Sequence, residues 1–530
     1  MKTAYINGRV YTGEDSVSCF AVQDGHFTAV GSLAQALQGA EKVIDLKDTF
    51  VCAGFNDSHL HLLNYGQTLN MPKLYEHTDS LAAMLDCFKT YLSDHPVAAG
   101  QWLKGRGWNQ DYFSDVSRMP NRFDLDTVSK EIPLVAIRCC GHCLVVNSKA
   151  LELAGITADT KCADGGCIGK ENGILDGRFY DNAMDLIYAA IPDPDKETIK
   201  KYIASAAAAL NSYGITSCQS DDYCAFANVD YEVINEAYRE LASEGKLSVR
   251  VYEQANIPKL ALLKPFLERH RLDEDDDFFR IGPLKILGDG SLGARTACLS
   301  RPYHDDPSTS GLTIFSKQEF DELIAYANRQ DKDVAVHTIG DSCLDMVLSA
   351  IEKALKEHPR THRHGIVHCQ VTREEQLKKI KDLSLHVYAQ TIFLDYDNQI
   401  VGKRLDEELY RSSYNFKTLL KTGVTVSNGS DCPVELPDAL KGMECAITRC
   451  SIAENSEPYL PQEAFTYQEA LNSFTSASAQ ASYDEKRKGL IKEGYLADFV
   501  LLDQDFFATA AKKLHEIKVL ATYVGGSRVY

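Results

Sequence analysis

The chain has 530 residues, 44 % of them hydrophobic and 25 % charged, with 34 glycines and 16 prolines, a globular balance that excludes wholesale disorder and collagen-like repeats. Its 56 Lys and Arg against 75 Asp and Glu give a formal charge of -19, which repels phosphate backbones and anionic lipid surfaces, so neither nucleic acid nor a membrane is an expected partner. No apolar run approaches the roughly 18 residues of a membrane span. The N-terminal MKTAYINGRVYTGEDS has no signal core, and sixteen cysteines are a modest density at this length, so reduced thiols and a cytoplasmic location are expected.

The first 50 residues read as short β runs around two hairpin dipeptides, Asn7-Gly8 and Asp24-Gly25. The C-terminus has matching material in Asp498 to Asp503 and Ala521 to Val524. The two ends, 1–52 and 485–530, are therefore expected to form one small β-sandwich domain. From Gly214 onwards, β-branched runs ending near Ser217, Tyr252, Ile286, His337, His368, Ala389 and Ser427 alternate with amphipathic stretches such as Tyr231 to Gly245 and Asp341 to His358, the latter with Asp341 in capping position. Adding the run Phe50 to Phe55 that leads into His59 makes eight strands. The predicted fold is thus an α/β (β/α)8 TIM barrel over 53–64 and 201–484. The segment 65–200 reads as an insertion after the first barrel strand, covering one end of the barrel, with strands of its own at Pro133 to Ile137 and Leu144 to Asn147.

In a parallel barrel the chemistry gathers at the C-terminal ends of the strands. That rule separates two H-x-H triplets. His59-Leu-His61 follows an apolar run, whereas His362-Arg-His364 precedes the strand ending at His368 and is expected in a solvated turn at the inert end. The same rule selects His337, His368 and Asp431, each at or just beyond a strand end. A lone histidine on a strand is more often a satisfied core residue, but four histidines and an aspartate at one end of different strands form a ligand set for zinc or a related metal. Lys285 lies inside the fourth apolar run. It pairs there with nearby Asp289 or, once burial has favoured its neutral amine, adds carbon dioxide to become a carbamate that bridges metals; on the residues alone the two readings weigh equally.

Five separated stretches, Gly54 to His61, Lys285 to Ala297, Val334 to Asp341, Gly429 to Glu435 and Lys488 to Val500, together resemble the amidohydrolase superfamily, within it the YtcJ-like metal-dependent hydrolases that include N-substituted formamide deformylases. The likeness spans essentially the whole chain and reaches Arg106 to Asn109 and Gly141-His142 in the insertion. The resemblance implies two divalent metals, zinc the expected one: His59 and His61 on the first, His337 and His368 on the second, a carboxylated Lys285 between them, and Asp431 as ligand and proton shuttle. It implies hydrolysis of a non-peptide C–N bond (amide, formamide or cyclic amide) of a small molecule through a metal-held hydroxide. Two departures stand out. Val367 occupies a position that is usually acidic, which predicts a missing hydrogen bond behind His368, and Gln390-Thr391 replaces Gln-Pro after the seventh strand.

Trp108, His142 and Asp289 are the candidate substrate contacts, with core packing an equal reading for Trp108. Cys140-Gly-His-Cys143 has the spacing of a redox motif, but apolar runs on both sides make it a hairpin turn. The alternatives to a two-metal hydrolase are a one-metal hydrolytic deaminase of a ring substrate and a barrel scaffold that has lost its chemistry. A homodimer is compatible with all three.

Overall fold

The computed structural model describes residues 1–97, 100–139, 143–161, 166–226, 228–270, 276–454 and 456–530. His142 and Cys140-Gly141, expected in a hairpin turn, fall outside these residues. The chain divides into two compact units, Met1–Tyr65 with Ile203–Tyr530, and Gly66–Tyr202.

The larger unit is built on eight strands: β1 (Phe55–Leu60), β2 (Ile215–Ser220), β3 (Arg250–Asn256), β4 (Phe279–Leu287), β5 (Val334–Thr338), β6 (Gly365–His368), β7 (His386–Ala389) and β8 (Val426–Asn428). Each pairs in parallel with the next in chain order. Past the end of the ladder, Asp431 N–H donates to the His59 carbonyl and His61 N–H to the Cys432 carbonyl, both at 2.8 Å, drawing the loop after β8 back onto β1. The architecture is a (β/α)8 barrel. Its strands read as short apolar runs because a parallel barrel is covered on both faces, and every residue of β1, β2, β6, β7 and β8 is buried.

The helices begin where the side-chain chemistry dictates. Asp230 caps Tyr231–Ser243, and Ser316 with Glu319 forms a capping box at Lys317–Arg329. Asp341 is not the cap of Asp341–Glu357. Gly340 holds that position, and the Asp341 carboxylate accepts the Ser300 N–H instead.

Three boundaries differ from the sequence reading. The run Phe50–Ala53 is a separate strand, and β1 starts only at Phe55, so His59 lies within a strand instead of after one. β2 and β3 extend to Ser220 and Asn256, past the ends expected at Ser217 and Tyr252. Thr3–Ile6 and Arg9–Tyr11 do not pair across Asn7-Gly8: the first joins a four-stranded sheet and the second a six-stranded one, with Asn7 at φ 56° as the chain crosses between them. Asp24-Gly25 does close a hairpin, both residues at positive φ, which is the backbone such a two-residue turn demands.

The six-stranded sheet is made from both ends of the chain. Phe50–Ala53 pairs with Phe499–Leu502, which pairs with Val519–Val524. Tyr5 and Phe20 of the smaller sheet pack with Phe499 and Tyr523 of the larger in one aromatic cluster, Tyr5 and Phe499 lying edge to face at 5.3 Å. The unit Gly66–Tyr202 carries its own five-stranded sheet and the helix Leu81–Asp94. The described cysteines are all free thiols, and no helix among the described residues is long and apolar enough to cross a membrane.

Candidate active site

β1 delivers His59 and His61 to the C-terminal mouth of the barrel, and the loop after β8 delivers Asp431. The close seating of that loop depends on Gly429, where a Cβ would lie 2.6 Å from the His59 nitrogen. Asp57 clamps the next residue. Its buried carboxylate accepts from Ser430 Oγ at 2.6 Å and from the Ser430 and His59 N–H groups. Burial outweighs these bonds and lifts Asp57 to about 7. Asp431 itself sits at φ 58°, a left-handed conformation that turns its side chain onto the histidines.

The donor atoms of His59, His61 and Asp431 lie within 4.8 Å of one another. Asp431 Oδ1 is 3.3 Å from His59 Nε2 and 3.1 Å from His61 Nε2. Each imidazole gives its other nitrogen to an oxygen acceptor. His59 Nδ1 donates to Gln254 Oε1 at 2.8 Å, and His61 Nδ1 to the Asp221 carbonyl at 2.9 Å. The neutral rings therefore turn two Nε2 lone pairs toward a carboxylate oxygen. Three lone-pair donors at this separation repel unless a cation lies among them, and two imidazoles with a carboxylate suit a divalent first-row metal. Without metal a proton takes that place. Burial presses His61 down, but Asp431 outweighs it and holds the ring up to about 9. Burial and the Lys285 charge press His59 to about 4. Asp431 is held well below the usual carboxylate range, because the histidines around it outweigh its own burial.

The other three expected ligands stand beside this cluster. Lys285 Nζ is 3.2 Å from His59 Nε2. The rings of His337 and His368 are 4.5 Å apart, and His368 is 5.6 Å from His59. His337 Nε2 bonds the Gly290 carbonyl at 3.1 Å, which leaves Nδ1 as its free lone pair. Both rings are neutral, pressed down first by burial and then by a neighbouring cation or ring, His337 to about 4. His368 Nδ1 is buried with no hydrogen-bond partner among the described residues, and Val367 lies in an apolar cluster with Ala335, Tyr388 and Ala481.

Lys285 does not pair with Asp289. Its partner is Asp221, just past β2, at 3.2 Å with both side chains buried. The Lys285 charge keeps the Asp221 carboxyl low despite that burial. Strand-end reasoning missed Asp221 because β2 was expected to stop near Ser217, which left the Ser-Asp-Asp sequence in a loop. Gln254 and Asn256 were missed in the same way beyond Tyr252, and Asn256 Nδ2 donates to Asp221 Oδ2 at 3.3 Å. Gln390, just past β7, is buried with neither amide atom partnered among the described residues.

Of the expected substrate contacts, Asp289 and Trp108 both have partners within the protein. Asp289 accepts the backbone N–H groups of Cys298, Ile339 and Gly340 at 2.8 to 3.0 Å and so ties the loops after β4 and β5 together. Burial lifts it to about 6 against those three bonds. Trp108 is enclosed in the core of its own unit, where Nε1 donates to the Ala136 carbonyl at 3.0 Å, so packing is the reading that fits it. The second triplet is not a solvated turn. His364 is fully buried, its Nδ1 accepting from Val334 N–H and its Nε2 bonding Asn328, because the segment before β6 tucks under the barrel.

The chain is similar to known proteins over essentially its whole length. Residues 42–530 match the model of the Amidohydrolase family. YtcJ of Bacillus subtilis (strain 168), named as an amidohydrolase, is 32% identical over 100% of this chain and 99% of its own. An N-substituted formamide deformylase of Arthrobacter pascens is 26% identical over 98% of this chain and 97% of its own. The crystal structure of a metal-dependent hydrolase from Pyrococcus horikoshii OT3 superimposes with a TM-score of 0.80 at 28% identity, covering 96% of this chain and 99% of that one. The chain belongs to the amidohydrolase family.

Proposed function

We propose that the protein hydrolyses a non-peptide C–N bond of a small molecule, an amide, formamide or cyclic amide, at a site of two divalent metals. His59, His61 and Asp431 would hold one metal, His337 and His368 the other, and Lys285, carboxylated, would stand between them, with zinc the expected ion. The observation that carries this reading is the convergence of His59 Nε2, His61 Nε2 and Asp431 Oδ1, three donors that need a cation among them. The name of the formamide deformylase relative supports the choice of bond. Free thiols among the described cysteines suit the expected cytoplasmic setting. The terminal sheets that share the Tyr5–Phe499 cluster are read as the expected β-sandwich.

Bound here, divalent metal supplies a water nucleophile usable near neutral pH and polarises the substrate carbonyl. The protein's own groups do the rest. The ionised Asp431 accepts a proton from the attacking water and delivers it to the leaving nitrogen, so that the amine departs neutral.

Metal analysis tests the reading. About two equivalents per chain, falling on Lys285→Ala, are expected. No metal after growth in zinc-supplemented medium overturns it in favour of an inactive scaffold, and one metal with an active Lys285→Ala variant favours ring deamination. A turnover screen of metal-loaded protein over N-formyl and N-acyl amines, hydantoin-like rings, lactones and aminopurines then fixes the bond; hydrolysis of lactones alone overturns the C–N assignment.

A further inference from the structure

We infer that Gln254 is a positioning residue of the metal centre: by accepting the His59 Nδ1 proton it fixes the tautomer that presents a bare Nε2 to the metal. The inference rests on the metal reading above and adds to it a residue that touches neither metal nor substrate.

Both ends of the Gln254 amide are assigned by their partners. One end lies 3.2 Å from the Ser58 carbonyl, which has no hydrogen to give and must face the NH2 group. The oxygen therefore faces His59 Nδ1, at 2.8 Å, and an oxygen in that position requires the hydrogen to be on Nδ1. A flipped amide would set oxygen against the Ser58 carbonyl oxygen. The choice is thus locked by the main chain of β1, the strand that carries His59.

The backbone of β3 is adapted to this contact. Its pairing with β4 shifts register between Glu253 and Ala255, a local irregularity centred on Gln254. Irregularities of this kind re-aim a side chain that regular alternation would send elsewhere. Glu253 serves a different neighbour, accepting the Asp222 N–H at 3.0 Å, while Gln254 is wholly buried beside the site. The acceptor is also neutral. A buried carboxylate here would add a further negative charge within reach of Asp431, whereas the amide orients the ring and adds none.

In the absence of the acceptor, His59 is free to place its hydrogen on Nε2, where it faces the metal and blocks ligation, and the ring is free to rotate. Partners of this type change metal affinity by about 10- to 100-fold. The test measures zinc affinity of the full-length protein by competition with a chromophoric chelator. Gln254→Leu, which removes the acceptor, is expected to weaken zinc binding by about 10- to 100-fold. Gln254→Glu, whose neutral carboxyl group keeps a carbonyl oxygen toward His59 Nδ1 and turns its O–H toward the Ser58 carbonyl, is expected to bind within about threefold of the parent. A Gln254→Leu variant that binds zinc as the parent does overturns the inference and leaves the metal reading intact; a parent that binds no zinc overturns the metal reading itself. A loss shared equally by Gln254→Leu and Gln254→Glu also overturns it, since that is the pattern of a packing role. Should Gln254→Leu fail to fold, the parent decides: long-range 15N–1H spectra of the metal-free, histidine-labelled protein, with His59 identified by His59→Gln, are expected to show Nδ1–H, and an Nε2–H tautomer overturns the inference.

Discussion

Two H-x-H triplets occur in this barrel, at opposite ends, and their hydrogen bonds show what suits one of them to hold a metal. At His364 every ring nitrogen meets its complement: Nδ1 accepts from Val334 N–H and Nε2 bonds the Asn328 oxygen. His362 stacks on it at 4.5 Å, and the Asp333 carboxylate stands 3.8 Å from His364 Nδ1. At His59 and His61 the protein satisfies one nitrogen of each ring and aims the other at Asp431. The same triplet is a completed internal network at one end of the strands and an incomplete donor set at the other. An incomplete buried donor set calls for a cation, whereas a completed one only stabilises the fold.

The difference is broken most severely at Asp431. Asp431→Asn, in place at the mouth but unable to take up a proton, is expected to lower turnover by on the order of 10³-fold while the protein still binds metal, measured by kinetics alongside metal content. A variant that retains turnover removes the shuttle from the mechanism. Substituting one histidine in each triplet comes next. His59→Ala is expected to lose metal, whereas His364→Ala should keep the full metal content and lose about 2–4 kcal/mol of stability, read from urea unfolding, because it opens a buried space and strands the Val334 N–H. Metal loss from both variants alike would erase the distinction.

The buried triplet also predicts a pH dependence. Burial holds His364 to about 3, far below its ordinary 6.5. The unfolded chain therefore takes up a proton that the folded chain refuses. The stability that goes with a neutral His364 is fully present above pH 6.5 and is lost as the pH falls from there toward 3. Other buried histidines contribute in the same direction, so the test is a difference: His364→Gln should flatten the slope of unfolding midpoint against pH between 7 and 4. An unchanged slope means that the ring is not held neutral. The smallest effect is expected at His362, half-buried at the edge, where His362→Ala should cost less than about 1 kcal/mol and leave metal content and activity unchanged.

Much of the fold was legible because it rests on local patterns. Apolar runs at βα spacing located seven of the eight barrel strands, while the run Phe50 to Phe55 reaches β1 only at its last residue; the rule that chemistry gathers at strand ends separated His59 and His61 from His362 and His364. That rule failed where an end was misjudged by a few residues. β2 and β3 continue through Gln219-Ser220 and Gln254-Ala255-Asn256, polar sequence that reads as loop because nothing local reveals that it is buried. Asp221, Gln254 and Asn256 were lost with those ends. Asn7-Gly8 misled for the complementary reason. Its turn chemistry is real, but the strands on either side pair with partners elsewhere in the chain, Thr3–Ile6 with Lys42–Asp45 and Arg9–Tyr11 with Phe50–Ala53.

By itself the sequence determined the class of fold, the chemical types at the strand ends and the family, because strand periodicity, ligand chemistry and motif order are properties of short stretches. Only the tertiary structure decided which group answers which. Lys285 pairs with Asp221 and not with Asp289, which is nearer in sequence, His59 Nδ1 bonds Gln254 from 195 residues away, and Asp289 ties the loops after β4 and β5 together. The physical reason is that a buried polar atom takes whatever complement the closed barrel brings within about 3 Å, and the closing of the barrel, not separation along the chain, sets that neighbour.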